Sequence, residues 1–470
     1  MLTYSLQSGI AVPLYEQLYR VIKKDIETKR LEAHTRMPSK RALCDHLKLS
    51  QNTIENAYAQ LVAEGYLYSL PRRGYFVAEL EPRLGGNQDS YCSVAQEKKS
   101  SISKSPVYDF KTNVVDLESF PMSSWAKLSR EAIRQNRQEM LRPSHAQGEL
   151  DLRRELVEYL HHYRAIQCHP DQIIIGAGSE YLMGLMVQLL GRESVYAIEN
   201  PGYPKIKKIL NSNGIQTRHI PVDGNGMRID LLEQSETDVV HLTPSHHFPL
   251  GSVMPIGRRL QLLKWASAGG GRYILEDDYD SEFRFQGRPI PALQSLDQCQ
   301  RTIYFNTFAK SLAPSLRLGY AVLPESLLTL YQEKLSFYSC TVSSFEQRIL
   351  CRFLSGGFFE RHLRRMRKLY KMKVEILIQE LNRCDKGKKL SISGQNTGLH
   401  LILTVDNGLT EKELLSRALK AGVKVYGVSS YYHEPSIAQQ THHQLVLGYA
   451  GLSESDLKNA VQKLATAWDL

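Results

Sequence analysis

The sequence predicts a multidomain protein: a small helical head closed by a β-hairpin, a linker, and a large α/β body with a smaller α+β part towards its C-terminal end. Three observations carry this reading. Apolar residues at helical spacing up to about residue 64 give way to two short strand-like runs. From about Glu81 to Pro106 a stretch of Gly, Ser, Gln, Asn and Lys interrupts all apolar periodicity. Beyond it, short apolar runs alternate with helical periods, as in a mostly parallel sheet covered on both faces. The expected divisions are 1–80, 81–106 and 107–470, and 470 residues with 42% apolar content suffice for such a core.

In the head, Leu14, Leu18, Ile22 and Ile26 recur every four residues, as one buried helix face would. Ser39 can cap a second helix carrying Leu43 and Leu47, and Ser50 a third whose Ile54, Tyr58, Leu61 and Val62 face inward. Gly65 stops the third helix. Tyr66–Ser69 and Gly74–Val77 read as strands around the basic turn Pro71-Arg72-Arg73-Gly74. The linker, about 26 residues, spans about 28 Å as a random coil, enough to place the head against a neighbouring subunit. In the body the expected strands are Gln172–Ile175, Val195–Ile198, Val239–Leu242, Tyr273–Leu275, Arg301–Phe305 and Leu318–Val322. Helices follow from about Leu327, then a small α+β part around Gly398–Leu403.

The net charge of +10 permits a polyanionic partner, but residues 1–80 hold only 11 Lys/Arg against 8 Asp/Glu. Any case for DNA must therefore come from a motif. No basic-then-apolar leader or membrane-length apolar run is present, so cytoplasmic residence without membrane attachment is expected. The seven cysteines (44, 92, 168, 299, 340, 351 and 384) form no Cys-x-x-Cys pair, which predicts reduced, mostly buried thiols.

A helix, a tight turn, a second capped helix and a basic hairpin make a winged helix-turn-helix for double-stranded operator DNA. Gln51, Asn52, Thr53 and Asn56 lie where base or phosphate contacts would fall, and Gln and Asn can pair bidentately with adenine. Ser39, Lys40 and Arg41 begin the preceding helix, where the cations suit phosphates. Arg72 and Arg73 on the wing suit phosphate or minor groove. The stretch resembles the GntR-type winged helix through Pro38-Ser-Lys-Arg-Ala-Leu43, Ser50-Gln-Asn-Thr53 and Ala57-Tyr58 with Leu61 and Glu64-Gly65. That family usually carries arginine where Gln51 stands, so one phosphate or guanine contact is expected to be either lost or taken over by Asn52.

In the body, Asp277 and Tyr279 follow one apolar run, Lys310 follows another, and Arg317 lies seven residues further on. An acid, a tyrosine, a lysine and an arginine in this order are what pyridoxal 5'-phosphate (PLP) requires. The amine forms a Schiff base with the aldehyde, and the acid keeps the pyridine nitrogen protonated. The tyrosine meets the phenolate, and the arginine grips the phosphate. Gly176-Ala-Gly178-Ser179 joins a strand to a helix whose N–H groups and dipole would hold the phosphate. Tyr203, just past a strand end, could stack on the ring. His246 and His247 suggest a metal, but adjacent loop residues with no third ligand usually bind none, so no metal is expected and they are read as positioning groups.

Together these loops resemble fold-type I aminotransferases from about residue 107 to the end, through Asn200-Pro-Gly-Tyr203, Glu276-Asp-Asp-Tyr-Asp-Ser-Glu282 and Thr307-Phe-Ala-Lys310-Ser-Leu. With the GntR-type head, nearly the whole chain resembles the MocR/GabR regulators. The resemblance implies Lys310 as the Schiff-base lysine, Asp277 at the pyridine nitrogen, Tyr279 at the phenolic oxygen and Tyr203 on the ring. It places Ser179, Thr307 and Arg317 at the phosphate, and it implies a head-to-tail homodimer. In the GABA-sensing branch, arginines that would hold a substrate carboxylate occupy the positions of Ser430 and Lys205. Losing a bidentate guanidinium contact costs roughly 1.5–3 kcal/mol. The expected function is a PLP-dependent DNA-binding transcription regulator sensing PLP or an amino compound, with at most weak transaminase half-reactions. The alternatives are an active aminotransferase with a fused DNA-binding head, and a regulator for which PLP itself is the signal.

Overall fold

The computed structural model describes residues 4, 6, 12–81, 107–135, 138–287, 289–434 and 443–470. The chain divides into two compact units, Met1–Ile102 and Ser103–Leu470. The expected linker falls almost wholly on 82–106, outside the described residues.

The first unit is built from three helices, α1 (Leu14–Glu27), α2 (Lys40–Leu47) and α3 (Gln51–Ala63), and the antiparallel strands β1 (Leu67–Leu70) and β2 (Gly74–Val77). Leu18, Ile22, Leu43, Ile54, Tyr58 and Leu61 are fully buried in its core, while Leu14, Leu47 and Val62 are half-buried. The Ser39 and Ser50 hydroxyls accept from the Ala42 and Thr53 N–H groups, both at 3.2 Å, so each serine caps its helix. Lys48, left-handed at φ 53°, ends α2 and turns the chain into α3.

In the second unit, β3 (Tyr108–Asp109) pairs with β14 (Val423–Lys424). Between them in sequence lies an eight-stranded sheet of β4 (Ile173–Gly176), β5 (Tyr196–Asn200), β6 (Thr217–Asp223), β7 (Gly226–Met227), β8 (Val239–Leu242), β9 (Tyr273–Asp277), β10 (Thr302–Thr307) and β11 (Gly319–Val322). Their order is β4-β11-β10-β9-β8-β5-β6-β7. Strands β10, β9, β8, β5 and β6 pair in parallel, and β11 runs antiparallel between β10 and β4. Successive side chains serve opposite faces. Leu275, Ile303 and Phe305 join a core with the helix Ser179–Leu190, whereas Ile274 and Val240 pack with Trp265 of the helix Ile256–Ala268. Because β4 and β10 point the same way, the loops after β4, β5, β8, β9 and β10 emerge at one carboxyl edge, where open α/β sheets bind ligands. The smaller part is a four-stranded antiparallel sheet of β12 (Leu390–Ser393), β13 (His400–Val405), β16 (Gln444–Gly448) and β15 (Tyr426–Gly427). The 27-residue helix Phe358–Cys384 shares its hydrophobic core.

Two expectations change. The six expected strands are present, but β6 was not among them, since its polar and half-exposed residues give no apolar run. The thiols described are free, yet Cys299 is exposed and the rest are half-buried. Among the described residues no helix is long and apolar enough to cross a membrane.

A buried ion pair fixes the turn after β9. Asp278 lies 2.7 Å from the Arg164 guanidinium and accepts from Ser281 Oγ at 2.9 Å and Tyr304 OH at 2.5 Å. Arg164 also donates to Ser245 Oγ at 2.7 Å and to the Ile290 carbonyl, tying the helix Leu150–Arg164 to two site-bearing loops. Arg164→Leu strands a buried carboxylate, so urea denaturation is expected to show a loss of about 3–5 kcal/mol. Arg164→Leu/Asp278→Leu is expected to recover part of it.

Candidate functional site

At the carboxyl edge of the large sheet lies a cavity of about 220 Å³ lined by loops from five strands and by Thr112-Asn113. Lys310, three residues past the end of β10, points its Nζ into this space and donates to the Thr112 carbonyl at 2.5 Å and Asn113 Oδ1 at 3.1 Å. Burial pulls its amine down to about 8, a shift that the Asp280 carboxylate partly offsets. Asp277, the last residue of β9, lies 3.4 Å from His241 Nε2, a buried nitrogen with no hydrogen bond of its own.

Tyr279 is half-buried, and its hydroxyl lies 3.0 Å from His246 Nδ1. The same nitrogen lies 2.9 and 3.0 Å from the two Asp280 oxygens. One ring nitrogen carries one proton, and the carboxylate is the stronger acceptor, so His246 donates to Asp280 and the Tyr279 O–H is left to turn into the cavity. Burial, with Asp280 adding, keeps that hydroxyl well above its ordinary titration range. Gly398, at φ +76°, packs against this pair where no Cβ would fit.

The opposite end is a cationic cradle. Gly178 (φ +85°) precedes the helix Ser179–Leu190, and a Cβ on it would lie 3.4 Å from the Arg317 guanidinium. Arg317 donates to the Ala177 carbonyl at 3.1 Å and to Glu180 at 3.3 Å. Thr307 ends β10 beside it, because β11 pairs Gly319 with both Thr307 and Gly176. Lys205 also binds Glu180, and this contact, followed by Arg317, holds the Glu180 carboxyl below its usual range. Tyr203 accepts from Asn113 Nδ2 at 3.0 Å and meets Phe248 edge-to-face at 5.5 Å. The residues present fit PLP: an amine of lowered pKa, an acid at a strand end, a free hydroxyl, and a helix N-terminus facing a guanidinium.

Of the sequence-derived set, Lys310, Asp277, Tyr279, Tyr203, Ser179, Thr307, Arg317 and Lys205 line one cavity, with Gly178 behind Arg317. Ser430 is not among its lining residues; its hydroxyl donates to the Gly427 carbonyl at 2.8 Å. Thr112, Asn113, Phe248, Asp280 and His400 line the cavity without having been singled out. The His246-His247 loop lacks no further ligand in space: His246, Asp280 and His400 bring candidate ligand atoms within 4.8 Å of one another. Of these rings, His246 Nδ1 is engaged by Asp280 and His400 Nε2 donates to the Pro249 carbonyl at 2.9 Å, while His246 Nε2 is buried without a hydrogen-bond partner.

On the head, Arg41, Gln51, Asn52, Asn56, Arg72 and Arg73 are exposed. Thr53 is half-buried with its hydroxyl 2.8 Å from Ser50 Oγ, and Ser39 serves as a cap. Lys40 donates to Glu55 at 2.5 Å, and that contact raises its pKa, so it is not the free cation expected from sequence.

Fold and site together define a DNA-binding head of the helix-turn-helix type joined to an aminotransferase-like body. The family "Bacterial regulatory proteins, gntR family" matches residues 14–77, and "Aminotransferase class I and II" matches 105–464. The chain belongs to the HTH-type transcriptional regulators that carry a gntR-family head on an aminotransferase class I and II domain. It is 41% identical over 470 residues, all of both chains, to the uncharacterized HTH-type transcriptional regulator YdeL of Bacillus subtilis. It is 31% identical to the probable rhizopine catabolism regulatory protein MocR of Rhizobium meliloti, over 97% of this chain and 94% of that one. Among solved structures, the α-aminoadipate aminotransferase LysN of Thermus thermophilus, complexed with N-(5'-phosphopyridoxyl)-L-leucine, is similar at 25% identity. Its TM-score is 0.66, covering 77% of this chain and 92% of that one.

Because Lys310 loses its proton near pH 8 rather than near its ordinary value, its neutral, nucleophilic fraction is large where other lysines are still charged. Acylation of the apoprotein followed by peptide mass spectrometry between about pH 6 and 10 is expected to label Lys310 first, with a midpoint near 8.

Proposed function

We propose that the body's cavity holds PLP and that its occupancy, by PLP alone or with an amino compound, sets the affinity of the head for operator DNA. The observation that carries this is the convergence of Lys310, Asp277, Tyr279, Arg317, Ser179, Thr307 and Tyr203 on one cavity. PLP supplies an electrophilic aldehyde that captures amines. Lys310 offers a weakly basic amine to that aldehyde. Asp277 holds a proton at the ring nitrogen, and His241 behind it keeps the carboxylate in place. Tyr279 donates to the phenolic oxygen, its O–H left free for this because His246 donates its proton to Asp280. Gly178, Ser179, Thr307 and Arg317 bind the phosphate, and Tyr203 flanks the ring. On the head, Asn52, Gln51 and Asn56 read bases, and Arg41, Arg72 and Arg73 contact the backbone. The resemblance to head-to-tail regulators and the length of chain between the units support a homodimer working in the cytoplasm. The same residue set would also suit a catalyst, so turnover of amino-acid/2-oxo-acid pairs, compared with effector-dependent DNA shifts, separates a regulator from an active aminotransferase.

The purified protein is expected to be yellow, and borohydride to fix the cofactor to the peptide containing Lys310. Lys310→Ala protein that gives the same covalent adduct would sink the assignment. Asp277→Ala is expected to weaken cofactor retention without abolishing the adduct, because it removes the charge partner and leaves the nucleophile. For the head, Arg73→Ala is expected to weaken binding to all sequences and to reduce the salt slope by about one. Asn52→Ala is expected to relax choice at particular positions. Gel shifts unaffected by both changes would make α3 a protein-contact surface instead.

A further inference from the structure

We propose that the effector taken by this cavity is a primary amine that carries no carboxylate. The inference rests on the PLP reading above and concerns the charges that reading leaves over. The acidic and basic side chains of the lining are Lys205, Lys310, Arg317, Glu180, Asp277 and Asp280, apart from His400. The aldehyde takes Lys310, the phosphate takes Arg317 and the ring nitrogen takes Asp277. Among the described lining residues Lys205 is then the remaining cation, and its Nζ is bonded to Glu180. Glu180 sits in the first turn of the helix that begins at Ser179, where the helix dipole favours its ionised form. His400 supplies no charge, since it is buried and its Nε2 donates to the Pro249 carbonyl.

Glu180 is taken up by Lys205 and Arg317, which leaves Asp280 as the acid not paired to a lining cation, and the other walls include Phe248, Leu399 and Pro314. A carboxylate entering this space would shed hydration next to Asp280 and find its one available cation already neutralised by Glu180. An amine meets no such obstacle, and Asp280 lies on the side where its nitrogen would arrive. The exchange balances without a co-reactant. The C–N bond to Lys310 breaks as the C–N bond to the incoming amine forms, and the two protons of that amine end on Lys310 Nζ.

The test uses full-length holoprotein and ligand pairs that differ in the carboxylate: butylamine against 4-aminobutyrate, and phenethylamine against phenylalanine. Displacement of the cofactor absorbance band is titrated for each. The amine of each pair is expected to half-saturate at a concentration about tenfold or more below its amino acid. Glu180→Gln releases Lys205 and is expected to narrow that gap, chiefly by improving the amino acids. Amino acids that match or beat their amines on the wild-type protein, or a band that no amine moves, would overturn the proposal. A gap unchanged in Glu180→Gln would overturn the part assigned to the Glu180–Lys205 pair. Protein that takes up no PLP, and so shows no cofactor band before any amine is added, would overturn the PLP reading itself and not merely its ligand class.

Discussion

Five carboxylates leave the sheet within seven residues at the end of β9, and four of them are buried: Glu276, Asp278, Asp280 and Glu282. Holding them together out of water without mutual repulsion is the constraint on which the site depends. Each is met differently. Glu276 accepts the Leu293 and Gln294 N–H groups at 2.8 Å, and burial lifts it to about 7. Glu282 accepts from Tyr159 at 3.0 Å and Asn306 at 3.3 Å, and burial likewise takes it to about 7. Asp278 is paired with the Arg164 guanidinium, and Asp280 accepts from His246. Asp277 alone is left half-exposed to the cavity, so the most accessible acid of the five is singled out by what its neighbours bind.

The same sorting explains how the cavity divides. At one end, a helix N-terminus and a guanidinium suit an anion; at the other, Asp280 and a cluster of rings around Phe248 suit an uncharged or basic group. Phe248 lies 5.2 Å from both His400 and Tyr431 and 6.0 Å from Tyr279, edge-to-face in each case.

Strand-end chemistry was legible in the sequence because it is local: an apolar run, then an acid, a tyrosine or a lysine within three residues. The helix caps at Ser39 and Ser50 were legible for the same reason, since a cap is a relation between residues three apart. Partners distant in sequence left no trace. Thr112 and Asn113 reach Lys310 from nearly two hundred residues away, and nothing in Lys111-Thr-Asn marks them. His400 reads as an ordinary strand residue, and Lys40 as a free cation, because the groups that engage them arrive only through tertiary packing. Ser430 entered by resemblance, and its backbone hydrogen bond accounts for its hydroxyl without any ligand.

Strand β11 has a consequence for how the site comes into being. It is the last strand of the large sheet in the chain and pairs with the first, and by running antiparallel it puts its leading end at the edge where its neighbours put their trailing ends. The cationic cradle at Gly178 and Arg317 is therefore a seam between the oldest and youngest parts of the sheet. While the chain is being made, the turn at Gly178 waits for Arg317, and no shorter nascent chain possesses the cradle. Contacts of such long range are slow to form. A head of local helices, by contrast, needs no partner from later in the chain and can fold as it emerges.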